Sequence, residues 1–162
     1  MRYIIDSNSL SQIFKSIYSE TFHSFWTSFN SFVEEGYLLT TREVMNEIER
    51  FNEVSEELIT WLNNRSINNN DFFSIPNVEE LDIVTQIFKN KQFNHSISKQ
   101  NYLRGYPCAD PFIIAKAKII EGTVITEEKY KENSARIPNI CKFFSIDCIN
   151  LREFFQEQKW QF

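Results

Sequence analysis

Residues 3–8 read YIIDSN, and this stretch contains the first predicted core strand and the start of the first predicted helix. One tyrosine and two isoleucines form a brief apolar run, which predicts a short buried strand over residues 2–6. The run stops at Asp6, and Ser7 or Asn8 is then predicted to cap a helix that starts there. A carboxylate therefore stands at the carboxyl end of the predicted first core strand.

Outward from this stretch, short apolar runs alternate with segments of helical periodicity. The other predicted strands are 37–41, 122–126 and 145–150, and the further predicted helices cover about 21–35, 43–51, 55–64, 77–89, 110–121, 138–144 and 151–158. Residues 66–76 are rich in asparagine and predict a loop. The alternation predicts an α/β fold with a mainly parallel sheet, and 162 residues without a visible linker predict one domain, 1–162.

The composition excludes several classes of protein. Three glycines are too few for a glycine-rich phosphate loop, and three cysteines without CxxC spacing predict reduced thiols in the cytosol. The first residues do not resemble a secretory signal and no apolar run approaches the roughly 20 residues that span a bilayer, so we expect a cytoplasmic protein without membrane contact. The net charge of −5 argues against a protein that coats nucleic acid, but it is compatible with an enzyme that acts on nucleic acid through clustered carboxylates.

Several acids occupy positions where α/β proteins place their active sites. Asp6 follows the first predicted strand, Glu47 lies on a middle helix, Asp110 opens a late helix, and Glu127 and Glu128 follow the strand 122–126. Each also has a plain structural interpretation. Asp6 can help to cap its helix, an aspartate before proline is a common N-cap, and paired glutamates suit a solvated loop.

Glu47 lies in a helix that also carries Glu43 and Glu49. At about 100° per residue, Glu47 falls closer to the apolar arc of this helix than the other two glutamates. We therefore expect Glu47 to lean toward the protein body. On helix geometry alone, a boundary glutamate that reaches to water is the more ordinary interpretation.

Four stretches of the chain resemble the signature elements of one nuclease superfamily. YIIDSN (3–8) resembles a first-strand signature, EVMNEIER (43–50) a helical Glu element, ADPFIIAKA (109–117) an Asp-initiated helix, and TVITEEKY (123–130) a strand followed by Thr-x-Asp. The superfamily is that of the PIN domains, and the small bacterial VapC-like toxin ribonucleases are the members that the chain resembles. The resemblance covers nearly the whole chain, with one departure. Glu128 stands where the family has aspartate, and it is one methylene longer.

The PIN resemblance implies a three-layer α/β/α fold whose short, mainly parallel central sheet has four to five strands. It implies a cytosolic endoribonuclease that requires Mg²⁺ or Mn²⁺, which are hard cations that prefer carboxylate oxygens. The implied catalytic and metal-binding residues are Asp6, Glu47, Asp110 and Glu128, with Glu127 as a further metal candidate. The candidates for supporting the site or binding substrate are Ser7, Asn8, Thr126, Arg104 and Lys129, the last two because they lie near the acids in sequence.

The same resemblance implies partners besides the RNA substrate. Many small bacterial relatives are toxins held by a cognate antitoxin, and homodimers are usual among them. The aromatic-rich helix at 21–33 is a candidate dimer surface, although its Phe and Trp residues are equally suited to a plain core.

Two other functions stay open at the level of sequence. The first is a catalytically weak PIN-like module that binds RNA or protein, for which a glutamate in place of aspartate and few basic residues would be the signs. The second is a phosphatase that uses Asp6 as its nucleophile. We rank it low because Asn8 stands where such enzymes generally carry a second aspartate.

Overall fold

Strands and helices alternate along the described chain. The structure is a computed structural model that describes residues 1–51, 54–67, 72–94 and 108–160. Its strands are β1 (Tyr3–Ile5), β2 (Leu38–Thr41), β3 (Phe73–Ser74), β4 (Thr123–Ile125) and β5 (Cys148–Ile149). Its helices are α1 (Ser7–Ser16), α2 (His23–Glu34), α3 (Arg42–Ile48), α4 (Glu56–Ile67), α5 (Val78–Lys89), α6 (Asp110–Ile119), α7 (Ile137–Phe144) and α8 (Leu151–Gln158).

The five strands form one parallel sheet in the order β3-β2-β1-β4-β5. The central strand is β1, which pairs with β2 on one side and with β4 on the other. Ile4 and Ile5 have no exposed surface, as expected for a parallel strand that is covered on both faces. The position of β1 explains why the YIIDSN stretch dominates the fold.

Helices cover the sheet on both faces. One layer is built around α6, which packs on β1, β2 and β4 and is flanked by α5 and α7. The other layer includes α2 and α8, whose aromatic rings meet the ring of Tyr3 from β1. This three-layer α/β/α architecture with five parallel strands confirms the predicted fold class. Within the described ranges, no helix is both long and apolar enough to cross a membrane.

The aromatic face of α2 belongs to the core. Phe25 and Phe29 are fully buried, and the ring of Trp160 makes edge contacts with both and with Phe154 of α8. Such ring pairs contribute about 0.5–1.5 kcal/mol each beyond the burial of their area. Of the two interpretations of the 21–33 segment, the structure therefore supports the core for its buried rings.

One strand lies where the sequence predicts a loop. β3 falls inside the asparagine-rich segment 66–76, and the backbone N–H of Thr40 donates to the carbonyl of Phe72 at 2.8 Å. Phe72 is fully buried against the ring of Trp61. The loop prediction is wrong here because tertiary packing of one aromatic residue and one neighbouring strand outweigh local turn propensity.

Gly122 lies next to the starts of β1 and β4, where there is no room for a side chain. A Cβ atom placed there would lie 2.6 Å from Cδ1 of Ile4 and 3.1 Å from the carbonyl oxygen of Arg2. That carbonyl accepts a hydrogen bond from the backbone of Thr123 at 3.0 Å. The backbone of Arg2 cannot move away from Gly122 without weakening the pairing between β1 and β4.

We expect Gly122→Ala to lower the free energy of unfolding by about 1–3 kcal/mol, because it overpacks this junction. Urea denaturation monitored by circular dichroism measures the change. Ile4→Val removes Cδ1, so Gly122→Ala should cost less in an Ile4→Val background. Equal costs in the two backgrounds would contradict this packing model.

Candidate functional site

Asp6 is held rigidly at the carboxyl end of β1. It is 2% exposed and is itself the N-cap of α1, where its Oδ1 accepts from the backbone N–H of Ser9 at 2.6 Å. Its Oδ2 accepts from the hydroxyl of Thr126 at 2.5 Å. The prediction that Ser7 or Asn8 caps the helix is therefore wrong, because the extended backbone of Asp6 places its carboxylate over the first helical turn. Capping and a role in the site coexist in one side chain.

Thr126 connects the ends of two strands. It follows β4 directly, is 2% exposed, and donates its hydroxyl proton to Asp6. The same hydroxyl oxygen accepts from the backbone N–H of Glu128 at 3.2 Å. Through this one side chain, the loop after β4 is placed next to the carboxylate at the end of β1.

Glu47 reaches the same region from α3. Its carboxylate accepts a hydrogen bond from the hydroxyl of Ser7, the first residue of α1. Burial raises the pKa of Glu47, and the negative charges of Asp6 and Glu128 raise it further. The helical wheel ranked two glutamates of α3 wrongly, because Glu43 is buried, at 7% exposure, beside the guanidinium of Arg42, whereas Glu47 is half-buried.

Asp110 is the first residue of α6, and the preceding Ala109, not Asp110, is the N-cap. Burial raises its pKa to about 8, with further contributions from the charges of Glu128, Glu47 and Asp6. Burial likewise raises the pKa of Asp6, and the charge of Glu128 adds to it. The four acids thus share one electrostatic environment, although they come from four separate segments of the chain.

The two glutamates after β4 contact different helices. The carboxylate of Glu128 accepts from the first backbone N–H of α7, that of Ile137, at 2.8 Å. The carboxylate of Glu127 accepts from the first backbone N–H of α8, that of Leu151, at 2.7 Å. Glu128 lies beside Asp110, whereas Glu127 lines a separate cavity next to α8. The geometry favours Glu128 over Glu127 as a member of the acid cluster.

A small cleft opens beside two acids of this cluster, Asp110 and Glu128. Its volume is about 290 Å³, and it is lined by Asp110, Glu128, Lys131, Ser134, Ala135 and Arg136. The sequence analysis missed Ser134 and Arg136.

The remaining sequence candidates take varied positions. Asn8 is exposed, and Lys129 is exposed with its carbonyl accepting from the guanidinium of Arg136 at 3.2 Å. Arg104 lies outside the described residues. Ser7 and Thr126 contact carboxylates of the cluster, as described above, and neither side chain reaches solvent to any large extent.

The donor set of the cluster fits a hard divalent cation. All four side chains offer carboxylate oxygens, and burial together with mutual repulsion disfavours ionisation of Asp6, Glu47 and Asp110. A bound cation would relieve that repulsion. In the part of the chain that the structure describes, no group of three or more Asp, Glu, His or Cys side chains is arranged so that it could hold a metal ion as it stands.

We expect chelator-treated protein to lose stability as pH rises from about 4 to about 8 because of Asp110. Its folded pKa is about 8, against 3.8 ordinarily, so the fold favours the protonated form. This contribution is complete below pH 4 and disappears as pH passes through the folded pKa. Asp110→Asn should therefore melt at a higher temperature than wild type at pH 8, with a smaller difference at pH 5.

Thermal melts in EDTA at several pH values test this expectation. Asp82→Asn, on an exposed position of α5, is the matched control and should follow the wild-type profile. Parallel profiles for wild type and Asp110→Asn would contradict the assignment of a destabilising buried carboxylate.

Comparison with known proteins places the chain in a family. No curated protein matches its sequence. Among solved structures, it is similar to VapBC2 from Rickettsia felis, bound to a DNA fragment from their promoter, at 12% identity and a TM-score of 0.46 over 93% of this chain and 98% of that chain. It is also similar to FitAcB from Neisseria gonorrhoeae, at 14% identity and a TM-score of 0.47 over 91% of this chain and 96% of that chain. The family model described as "Domain of unknown function (DUF4411)" matches residues 3–162, so the chain belongs to the DUF4411 family.

Proposed function

We propose that this chain is a PIN-like endoribonuclease that hydrolyses RNA phosphodiesters with the help of Mg²⁺ or Mn²⁺. One observation carries the proposal. Burial raises the pKa of Asp110, at the start of α6, to about 8, and carboxylates from the loop after β4, from α3 and from the end of β1 raise it further. Perturbed acids of this kind are concentrated at functional sites.

The residues that would hold the cation are Asp6, Glu47, Asp110 and Glu128. When bound, a divalent cation lowers the pKa of an attacking water and offsets the charge of the phosphodiester. A carboxylate has about four lone-pair positions, so the bonds that orient Asp6 leave acceptor capacity on both of its oxygens. The side chain is thus fixed in direction without being used up.

Three carboxylates of the cluster are held by donors outside the cluster. Asp6 is held by Thr126 and the backbone of Ser9, Glu47 by the hydroxyl of Ser7, and Glu128 by the backbone of Ile137. Supporting bonds of this kind orient ligands and commonly affect metal affinity or activity by 10–100-fold, roughly. They support a site that is organised before it binds.

Glu128 departs from the aspartate of the PIN pattern by one methylene. The longer side chain has more rotamers, which would ordinarily blur the position of its carboxylate. The N–H of Ile137 restricts it, because this bond fixes one oxygen at the start of α7. We infer that the glutamate serves in place of the aspartate.

The proposal extends to the setting of the reaction. In the cytosol, cleavage by this kind of site would leave a 5′-phosphate and a 3′-hydroxyl, and a cognate antitoxin would restrain the enzyme. A largely apolar cavity of about 690 Å³ between α1 and α8 is a plausible contact for a protein partner. It is lined by Gln12, Ile13, Ser16, Ile17, Glu127, Leu151, Arg152, Phe155, Gln156, Lys159 and Trp160.

The competing proposal is a PIN-like module that binds RNA or protein but cleaves weakly. Measuring Mn²⁺ binding and RNA cleavage on one purified sample separates the two functions. Binding of Mn²⁺ with metal-dependent cleavage supports the nuclease, and RNA binding without cleavage in any divalent cation supports the module.

We expect Asp6→Asn to reduce metal-dependent RNA cleavage by at least about 100-fold, because it removes a charged oxygen donor from the site. The helix cap should survive, since asparagine caps helices as well as aspartate does. Cleavage assays and calorimetric titration with Mn²⁺ measure activity and affinity together. Asp147→Asn, exposed before β5, is the control. Full activity in a well-folded Asp6→Asn protein would refute the site assignment.

The two adjacent glutamates each accept from the start of a helix, but we expect only Glu128 to affect metal binding. Glu128→Gln should weaken Mn²⁺ binding, because its carboxylate belongs to the acid cluster. Glu127→Gln should act on stability by up to about 1 kcal/mol, because its carboxylate caps α8. Calorimetry and urea denaturation on both variants check the contrast. A larger loss of Mn²⁺ affinity in Glu127→Gln would reverse the assignment.

A further inference from the structure

Both acidic and basic side chains line the cleft beside Asp110 and Glu128. Asp110 and Glu128 form the acidic side, and the loop that follows β4 contributes Lys131, Ser134 and Arg136. We propose that Lys131 and Arg136 each bind a backbone phosphate of single-stranded RNA beside the phosphodiester that is cut. This inference rests on the proposed function and assigns a substrate subsite to it.

The loop that carries these cations is organised by Asn139 of α7. Asn139 is 5% exposed, and its amide donates to the carbonyl of Lys131 at 2.6 Å while its oxygen accepts from the N–H of Lys131 at 3.3 Å. The hydroxyl of Ser134 lies 2.8 Å from the same carbonyl and 3.1 Å from the oxygen of Asn139. The backbone of Lys131 is therefore fixed while its side chain stays exposed to solvent.

Arg136 is positioned by the same loop. One of its guanidinium nitrogens donates to the carbonyl of Lys129 at 3.2 Å, and its other donors remain available because a guanidinium has five N–H groups. A planar, partly restrained guanidinium loses little freedom on binding and matches the geometry of a phosphate. Arg136 is thus prepared for an anion at the mouth of the cleft.

The charge of the site requires cations of this kind. With a divalent cation bound, the carboxylates of Asp6, Glu47, Asp110 and Glu128 would be ionised and would carry four formal negative charges, of which the cation offsets two. Lys131 and Arg136 line the same cleft and offset the other two. Without them, an RNA phosphate would approach a net negative surface on a chain whose total charge is already −5.

Single-stranded RNA is the occupant that fits best. The cleft of about 290 Å³ is a local feature beside one loop, and Tyr130 of that loop is 52% exposed between two lysines. The ammonium of Lys142 lies over the Tyr130 ring, 5.0 Å from its centroid, and the exposed ring would offer its free face to an unpaired base, which a duplex keeps in its own stack.

Fluorescence anisotropy with a labelled oligouridine of roughly 12 nucleotides tests the subsite. Every protein in this assay is full-length and carries Glu47→Gln, which the proposed function expects to block cleavage and which leaves the cleft lining intact. The titrations use Mn²⁺ and a series of salt concentrations. The test variants are Lys131→Gln and Lys131→Gln/Arg136→Gln, and the charge-matched control is Lys15→Gln/Lys89→Gln on α1 and α5.

We expect the double variant to raise the Kd for this RNA by at least about 10-fold and to reduce the slope of log K against log salt by about 1.4, or about 0.7 for each lost phosphate contact. Lys131→Gln alone should reduce the slope by about 0.7, and Asn139 still holds the loop in that variant. A Kd and slope equal to those of the control would overturn the inference.

Cleavage by the protein without Glu47→Gln, measured in parallel, separates the two ideas. If that protein cleaves RNA but the double variant binds like the control, the subsite fails and the nuclease stands. If binding depends on Lys131 and Arg136 but no divalent cation supports cleavage, the phosphate contacts stand and the nuclease fails.

Discussion

The hydrogen bond from Thr126 to Asp6 is the constraint on which the site depends. It joins the carboxyl ends of β1 and β4, which the parallel pairing of Ile4 with Val124 has already placed side by side. Parallel strands direct their carboxyl ends to one edge of the sheet, so residues that are 120 positions apart become neighbours. Three further contacts lie next to this junction: the helix cap at Asp6, the bond from Glu128 to Thr126, and the bond from Ser7 to Glu47.

The buried acid cluster lowers the stability of the fold, although the proposed function needs these same carboxylates. Burying mutually repelling carboxylates is unfavourable, and burial together with the neighbouring charges raises the pKa of Asp110. The cost is tolerable because the sheet is packed on both faces and the aromatic residues of α2 and α8 form a dense cluster. Lys116 of α6 also meets Glu80 of α5 in a buried ion pair with an N···O distance of 3.7 Å. Such a pair adds little net stability, but its geometry fixes how the helix that presents Asp110 sits against its neighbour.

Many of the strands and helices could be predicted from the sequence, and each wrong prediction has a physical cause. The first strand and the last helix, 151–158, follow from apolar periodicity, which depends on residues close together in the chain. The β3 strand was missed because its formation depends on pairing with β2 and on burial of Phe72, which local composition does not encode.

The candidate site shows the same division. The shared edge of Asp6 and Glu128 was predictable, because the topology of a parallel sheet decides which strand ends lie together, whereas Glu47 and Asp110 joined the set through the PIN resemblance. The cap was predicted at Ser7 or Asn8 instead of Asp6, because sequence patterns do not locate the start of a helix to within one residue. Arg136 and Asn139 escaped notice because their roles arise from the shape of one loop, and nothing in a basic or amide residue alone reveals which way a loop folds.

The two adjacent glutamates after Thr126 have a consequence for how this protein can diverge. Surface connections usually accept insertions and deletions readily. Here, consecutive side chains are committed to the first N–H groups of two different helices. A register change of even one position would pull both helix starts away from their carboxylates at once. We expect related sequences to vary freely in many exposed connections while keeping the spacing from Thr126 to Ile137 constant.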